Sequence, residues 1–450
     1  MDQVYTINQI PVEILQEIFL YVGLYGQRHF SPLGRGPAHL VLPRVCSLWR
    51  SIYLTLPNLY PWVKFLRPCE QETADRFLAA THPRPVAIDI DSFLVNAAEL
   101  GYSAHLWSCT ERWGAARVII SLSNWSLIAD CNFPQLSALK VRYYRHQHDR
   151  FASLPTTKVG RPLVTSAPQL TALDLDVQRW GHFNTFGLPW SQIELLTLRN
   201  AHLAMWLTVL ERCPLRMLRL LNLDTIIASS MVQTFTFVPR MLRNLHTLIV
   251  DVVYGSVSTL LNVMTAPALH SLSVTTRNVF PDSEKKALGV FLERSKCTIR
   301  NLRFLFDRHI RCDSVVSLIH DISSVENLYF TYLEPTTSSS AKDVMDLLAR
   351  KSSDDQLTVM PNLRSLEIMT MDVTSDGILL KPLHESLQRF VVCRREKGRA
   401  SSFTTLRLGV RKDELPSSLA TAIEQASESG LAVFFDFGSS TFPEPQIVVV

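Results

Sequence analysis

Few side chains in this sequence have the types and spacing that covalent chemistry needs. His146-Gln147-His148-Asp149 sets two imidazoles two residues apart beside a carboxylate, a pattern that could offer metal ligands from one strand face. No cysteine or further histidine stands near them, so a solvated loop is the expectation. Arg394-Arg395-Glu396-Lys397-Gly398-Arg399 could touch phosphate or address the chain to the nucleus; a solvated turn is expected there too. Gly34-Arg35-Gly36 is a lone fragment. G-x-S-x-G, the P-loop, H-E-x-x-H and G-x-G-x-x-G are absent. No catalytic residue is assigned, and neither a metal nor a cofactor is expected. Cys46, Cys69, Cys109, Cys131, Cys213, Cys297, Cys312 and Cys393 form no C-x-x-C pair, and free thiols in a reducing compartment are expected.

The surface that could bind is set by a repeated phrase. Leu136-x-x-Leu139-x-Val141 recurs from Leu170, Ile193, Leu215, Leu245, Leu269, Ile299, Val325, Leu363, Leu387 and Phe403. The phrase L-x-x-L-x-L is a turn leading into a short strand, the unit of a leucine-rich repeat. Several copies share a lead-in: Phe133-Pro-Gln-Leu, Ala167-Pro-Gln-Leu, Ala266-Pro-Ala-Leu and Met360-Pro-Asn-Leu. Residues flanking the strand anchors point away from the core. They make a candidate target-binding face: Asp174, Asp176, Thr197, Arg199, Arg219, Asp251, Arg303, Tyr329, Glu367, Arg389 and Arg407. Arginine and tyrosine are enriched at protein interfaces, and arginine suits acidic or phosphorylated segments.

The elements that position this face are short strands alternating with helices. Helices are expected over 67–81, 93–109, 202–212, 256–265, 314–322, 344–349 and, after Pro416, up to Ser429. Further strands are expected at Val86–Asp91, Val118–Leu122, Leu431–Phe437 and Ile447–Val450. Each unit hides its apolar side only against its neighbours, which gives a solenoid with a curved parallel sheet. Regular arrays carry Asn or Cys three residues past the last anchor; here that place holds Gln178, Ala201 and Leu223, with Asn200 and Asn222 one residue short. Irregular curvature follows. At 450 residues the chain exceeds one ordinary core. Its 47% apolar and 19% charged residues fit a folded protein. A net charge of +4, from 45 basic and 41 acidic residues spread along the chain, does not point to nucleic acid. MDQVYTINQI lacks the basic start and apolar core of a signal peptide, and no run approaches a membrane span. A cytoplasmic or nuclear protein is expected.

Ahead of the repeats lies a different kind of segment. Val12, Ile14, Leu15, Ile18, Phe19 and Val22 fall at helical spacing, opened by Pro11 at the first helical position and stopped by Gly23. Val45, Leu48, Trp49 and Ile52 make a second stripe, and Leu56 to Trp62 reads as a third short turn of helix. So small an apolar unit buries little on its own. The blocks Ile10-Pro-Val-Glu-Ile-Leu-x-x-Ile-Phe19, Val45-Cys-x-x-Trp-Arg-x-Ile52 and Pro57 with Leu59 and Tyr60 resemble an F-box, in particular that of mushroom-forming fungal F-box proteins with leucine-rich repeats. The loop Gly23 to His39 is longer than in compact F-boxes, and Tyr60 stands where those relatives usually carry tryptophan.

The resemblance implies an α/β chain: a three-helix F-box at 1–66, connecting helices and first strands at 67–132, an irregular leucine-rich-repeat solenoid at 133–410 and a capping segment at 411–450. It implies that Ile10, Pro11, Ile14, Leu15, Ile18, Val45 and Trp49 bind a Skp-type adaptor and, through it, a cullin scaffold. The solenoid would then hold an unknown target protein for ubiquitin transfer, with no catalysis by the chain itself. The alternative is a non-catalytic scaffold that uses the solenoid outside a ubiquitin ligase.

Overall fold

The computed structural model describes residues 10–26, 45–55, 62–65, 78–79, 82–83, 85–91, 109–120, 131–143, 167–176, 188–201, 210–224, 239–254, 257–276, 282–306, 322–332, 338–351, 357, 359–370, 381–395, 403–408, 415 and 417–435. The fold is mixed α/β and is dominated by long runs of parallel strands. The chain divides into two compact units: Met1–Leu175 with His182–Pro189, and Asp176–Gly181 with Trp190–Val450.

The first unit opens with helices α1 (Val12–Gly26) and α2 (Ser47–Thr55). The Leu15 N–H donates to the Pro11 carbonyl at 3.1 Å, so Pro11 caps α1 from just outside it. Gly23 does not end the helix as the sequence suggests, because a glycine inside a helix costs only about 1 kcal/mol. α1 runs on to Gly26. Cys46 caps α2: its Sγ accepts the Trp49 N–H at 3.4 Å and its carbonyl accepts the Arg50 N–H at 3.0 Å. Then come β1 (Trp62–Phe65), β2 (Val86–Asp91), β3 (Trp113–Ile120), β4 (Ala138–Tyr143) and β5 (Ala172–Asp176), each parallel to the next. β1 shares only Trp62 with the third helical turn read at Leu56 to Trp62, the rest of which lies outside the described residues. Ile88, Ala116, Leu139 and Leu173 stand side by side in register and are all buried. The expected helices over 67–81 and 93–109 lie almost wholly outside the described residues.

The second unit carries β6 (Leu195–Arg199), β7 (Met217–Asp224), β8 (Arg240–Met241), β9 (Thr247–Tyr254), β10 (Met264–Thr265), β11 (Ser271–Thr276), β12 (Asn301–Phe306), β13 (Asn327–Tyr332), β14 (Ser365–Thr370), β15 (Thr405–Leu408) and β16 (Ala432–Phe435). Its helices among the described residues include α3 (Val257–Asn262), α4 (Asp282–Ser295), α5 (Ser338–Leu348), α6 (Lys381–Arg395) and α7 (Ser417–Glu428). β8 and β10 pair only with each other; the other nine strands run parallel in the order β6-β7-β9-β11-β12-β13-β14-β15-β16. Parallel neighbours need a crossover, and α4 to α7 each fall between consecutive strands of this order.

The repeated phrase explains the register. Leu196, Leu218, Leu248, Leu272, Leu302, Leu328, Leu366 and Leu406 pair in one row, and Leu198, Leu220, Val250, Val274, Phe304, Phe330, Ile368 and Leu408 in the next. All of them are buried, each side chain contributing roughly 1.5–3 kcal/mol against exposure. The shared lead-in is a turn: the N–H of Leu136, Leu170, Leu269 and Leu363 donates to the carbonyl three residues back, at 3.0–3.2 Å.

One phrase misleads. Leu387-x-x-Phe390-x-Val392 is part of α6 and not a strand. Spacing of three also belongs to a helix, and Leu387, Phe390, Val391 and Arg394 form the buried stripe of α6. Arg389 therefore leaves the sheet face: it lies on α6 and pairs with Asp346 of α5 at 2.9 Å. Arg394 also departs from its expected solvated turn. It is buried, with its guanidinium donating to the carbonyls of Leu348, Val359 and Met360 at 2.8–3.0 Å. Burial pulls its pKa down to about 10. Met360 sits at φ 45, uncommon for a residue other than glycine, and this bond holds its carbonyl. Arg294 on α4, in the crossover between β11 and β12, repeats the device, donating to the carbonyls of Leu261 and Met264 and to Thr265 Oγ1. Helix α4, absent from the sequence expectations, also returns Glu284, whose buried carboxylate accepts the Val257 N–H at the start of α3 at 3.0 Å.

Candidate functional site

Two regions present side chains that the fold itself does not consume. The first is the helix pair. Leu15 is 1% exposed and Phe19 0%, and Phe19 meets Trp49 edge to face with ring centroids 4.9 Å apart. With Ile52 they form the inside of the pair. Ile14 and Val45 are each 51% exposed, and Ile18, Val12 and Leu48 are exposed as well. Pro11 is exposed, while Ile10 and Trp49 are half-buried. The sequence-derived set thus splits. Pro11, Ile14, Ile18 and Val45 face outward; Leu15 and Trp49 build the pair. Val12 and Leu48 join the outward group; both belong to the same apolar stripes, and only burial separates them from the rest.

The second region is the outward side of the sheet, which each unit treats differently. In the first unit, Asp89, Arg117, Lys140 and Asp174 are register neighbours. Arg117 lies 3.6 Å from Asp89 and Lys140 lies 2.8 Å from Asp174, so opposite charges pair off.

In the second unit the corresponding row is Thr197, Arg219, Ile249, Ser273, Arg303, Tyr329, Glu367, Arg407 and Phe434. Thr197, Arg219 and Ile249 are buried, so this end of the row is closed; Arg219, chosen as a binding residue, is 6% exposed. From Ser273 onward the row opens. Glu367 lies 3.7 Å from Arg407, and the Arg407 guanidinium stands 5.4 Å from the Phe434 ring centroid. Burial, then the Glu367 charge, raises the Tyr329 pKa, so its hydroxyl stays a donor through neutral pH. Arg199 and Asp251 sit half-buried further along their strands. Asp176, also half-buried, accepts a 2.8 Å bond from the Asn200 side chain. Asn200 stands at φ 55, a left-handed turn that asparagine tolerates.

A further row escaped the sequence reading: Glu194, Arg216, His246, His270, Arg300, Glu326, Arg364 and Thr404. Each immediately follows the first anchor of its phrase. Successive backbone N–H groups donate to the previous member's carbonyl at 2.7–3.1 Å, which stacks the row along the N-terminal edge of the strands. His246 and His270 stack with centroids 5.4 Å apart. Burial, then His246 and Arg300, lowers the His270 pKa. The signal was in the repeat itself, where the column beside the first anchor is charged or histidine in the phrases at Ile193, Leu215, Leu245, Leu269, Ile299, Val325 and Leu363.

Among the described residues, no group of three or more His, Cys, Asp or Glu could hold a metal ion. His146 to Asp149 lie outside them. The described cysteines are free thiols, and burial pushes Cys213 up to about 12, out of the reactive range. No described helix is long and apolar enough to cross a membrane. No protein-family model matches the chain, and no curated protein sequence matches it.

Proposed function

We propose that the chain is a non-catalytic substrate-recognition adaptor of an SCF-type ubiquitin ligase. In this reading the helix pair is an F-box that docks to a Skp-type adaptor, and the sheet, as a leucine-rich-repeat solenoid, holds the target. The observation that carries it is the exposed apolar set on α1 and α2, Val12, Ile14, Ile18, Val45 and Leu48, around an interior already closed by Leu15, Phe19 and Ile52. Such residues gain free energy when a partner covers them, at about 25 cal/mol per Å² of apolar surface removed from water. Holding a target beside a charged ubiquitin-conjugating enzyme raises the effective concentration of its lysines, which is the whole contribution such an adaptor makes.

The test is capture of a purified Skp-type adaptor by the full chain. Ile14→Asp puts an unpaired charge into the proposed contact, so capture falls at least about a hundredfold, some 2.7 kcal/mol, while the sheet keeps its melting transition. Capture unchanged by Ile14→Asp removes the assigned surface. Failure of the unaltered chain to capture the adaptor leaves the scaffold reading, which requires only the sheet.

A further inference from the structure

We infer that strands β12 to β15 form a docking strip for an extended, carboxylate-rich segment of a partner protein. The inference rests on the reading of the sheet as the target-holding part of the chain, and it specifies what that part recognises.

Two rows of side chains cross these strands. At the edge, Glu326 stands between Arg300 and Arg364, 3.8 and 3.6 Å from their guanidinium nitrogens. On the outward face, Arg303, Tyr329, Glu367 and Arg407 follow one another in register. Each row holds two arginines to one glutamate. The strip therefore carries a formal excess of two positive charges over three strand spacings, about 14 Å. Between the rows Asn301 and Asn327 bond to each other at 2.7 Å, a polar floor with further amide capacity.

The guanidinium groups stay accessible: the Arg300, Arg364 and Arg407 side chains are 64%, 62% and 42% exposed. The first unit's row cancels its charges one against one; at β6 and β7 the outward row is covered and the exposed edge pair, Arg216 and Glu194 at 3.6 Å, also cancels, so the excess belongs to this strip. Arginine's planar fork takes a carboxylate through two parallel hydrogen bonds. Two glutamates set among four arginines repel a continuous polyanion such as nucleic acid. They leave room for carboxylates placed singly between them, as in an extended acidic peptide. Phe434, 45% exposed beyond Arg407, supplies an apolar end to the strip.

The full chain is titrated into a fluorescent peptide of alternating glutamate and serine, and polarisation is read. The same is done with a glutamine–serine peptide and a single-stranded oligonucleotide. The glutamate peptide binds, and raising salt from about 50 to about 300 mM weakens it about tenfold or more by screening. The double variant Arg303→Gln, Arg407→Gln weakens it about tenfold with an unchanged melting curve, and Arg243→Gln, an exposed arginine off the strip, changes nothing. Equal binding of the glutamine peptide, tighter binding of the oligonucleotide, or unchanged binding by the double variant would each overturn the inference. The Ile14→Asp chain keeps the glutamate peptide, so the two readings fail separately. Adaptor capture without peptide binding removes the strip alone; peptide binding without adaptor capture removes the ligase reading alone.

Discussion

The helix pair and the leucine rows of the second unit are built from the same aliphatic side chains and reach opposite ends. In the rows every anchor from Leu196 to Leu408 is buried, each standing in register between the anchors of the neighbouring strands. In the pair, Leu15 and Phe19 are buried while Ile14 and Ile18, on the same helix, are not. A repeat array completes its core by adding another copy of itself, whereas two short helices have one seam and a second face left over. The contrast teaches that apolar content alone does not tell which face is closed; whether another copy of the unit packs against it does.

The largest effect tests the closed side. Phe330→Ala removes a buried ring beside Phe304, whose centroid is 6.1 Å away, and lowers stability by about 3–5 kcal/mol in urea denaturation. Hydrogen-exchange protection falls first in β12 to β14, its register neighbours; a uniform fall across all strands would mean that the array does not unfold locally.

Next comes the contrast within α1. Leu15→Ala costs about 2–5 kcal/mol, and Ile14→Ala stays within about 0.5 kcal/mol. Circular dichroism melts of the two variants decide it, and similar losses would mean that the outward face is part of the fold. Arg394→Ala follows at about 2–3 kcal/mol, because three buried carbonyls lose their donor. Arg394→Lys recovers only part of this, since a single ammonium cannot match the planar fork. Full recovery by lysine would reduce the site to its charge.

The smallest effect is at the edge row. His270 has a lowered pKa in the folded chain, so the unfolded chain binds its proton more readily. Its contribution is fully present above the unfolded value near 6.5 and is lost as pH falls from there through the lowered folded value. His270→Gln therefore flattens the acid limb of the stability curve just below about pH 6.5. An unchanged acid limb would show that the stacked pair with His246 does not couple to folding.

Much of the sheet was legible because its signal is local. Anchors at positions one, four and six of a phrase fix both the turn and the strand that follows, and the phrases from Leu136 to Val325, with those at Leu363 and Phe403, lie where β4 to β15 run. The phrase at Leu387 failed because L-x-x-L is equally one helical turn, and Pro382 near the start of α6 suits a first helical turn. Helix α4 was missed because its buried stripe is thin: Ala287, Leu288 and Phe291 stand among charged neighbours. The site was only half legible. Ile14 and Leu15 are adjacent and similar in type, and nothing local says which of them turns inward.

The inward rows were determined by the sequence alone, since alternation along a strand sends every second side chain to one side whatever else surrounds it. Only the tertiary structure decided which outward residues stay open. Arg219 and Arg407 occupy the same column of the same repeat, yet one is covered and the other lies against Phe434 in solvent. Covering an outward side chain depends on what packs over the strand, which the alternation along that strand does not record.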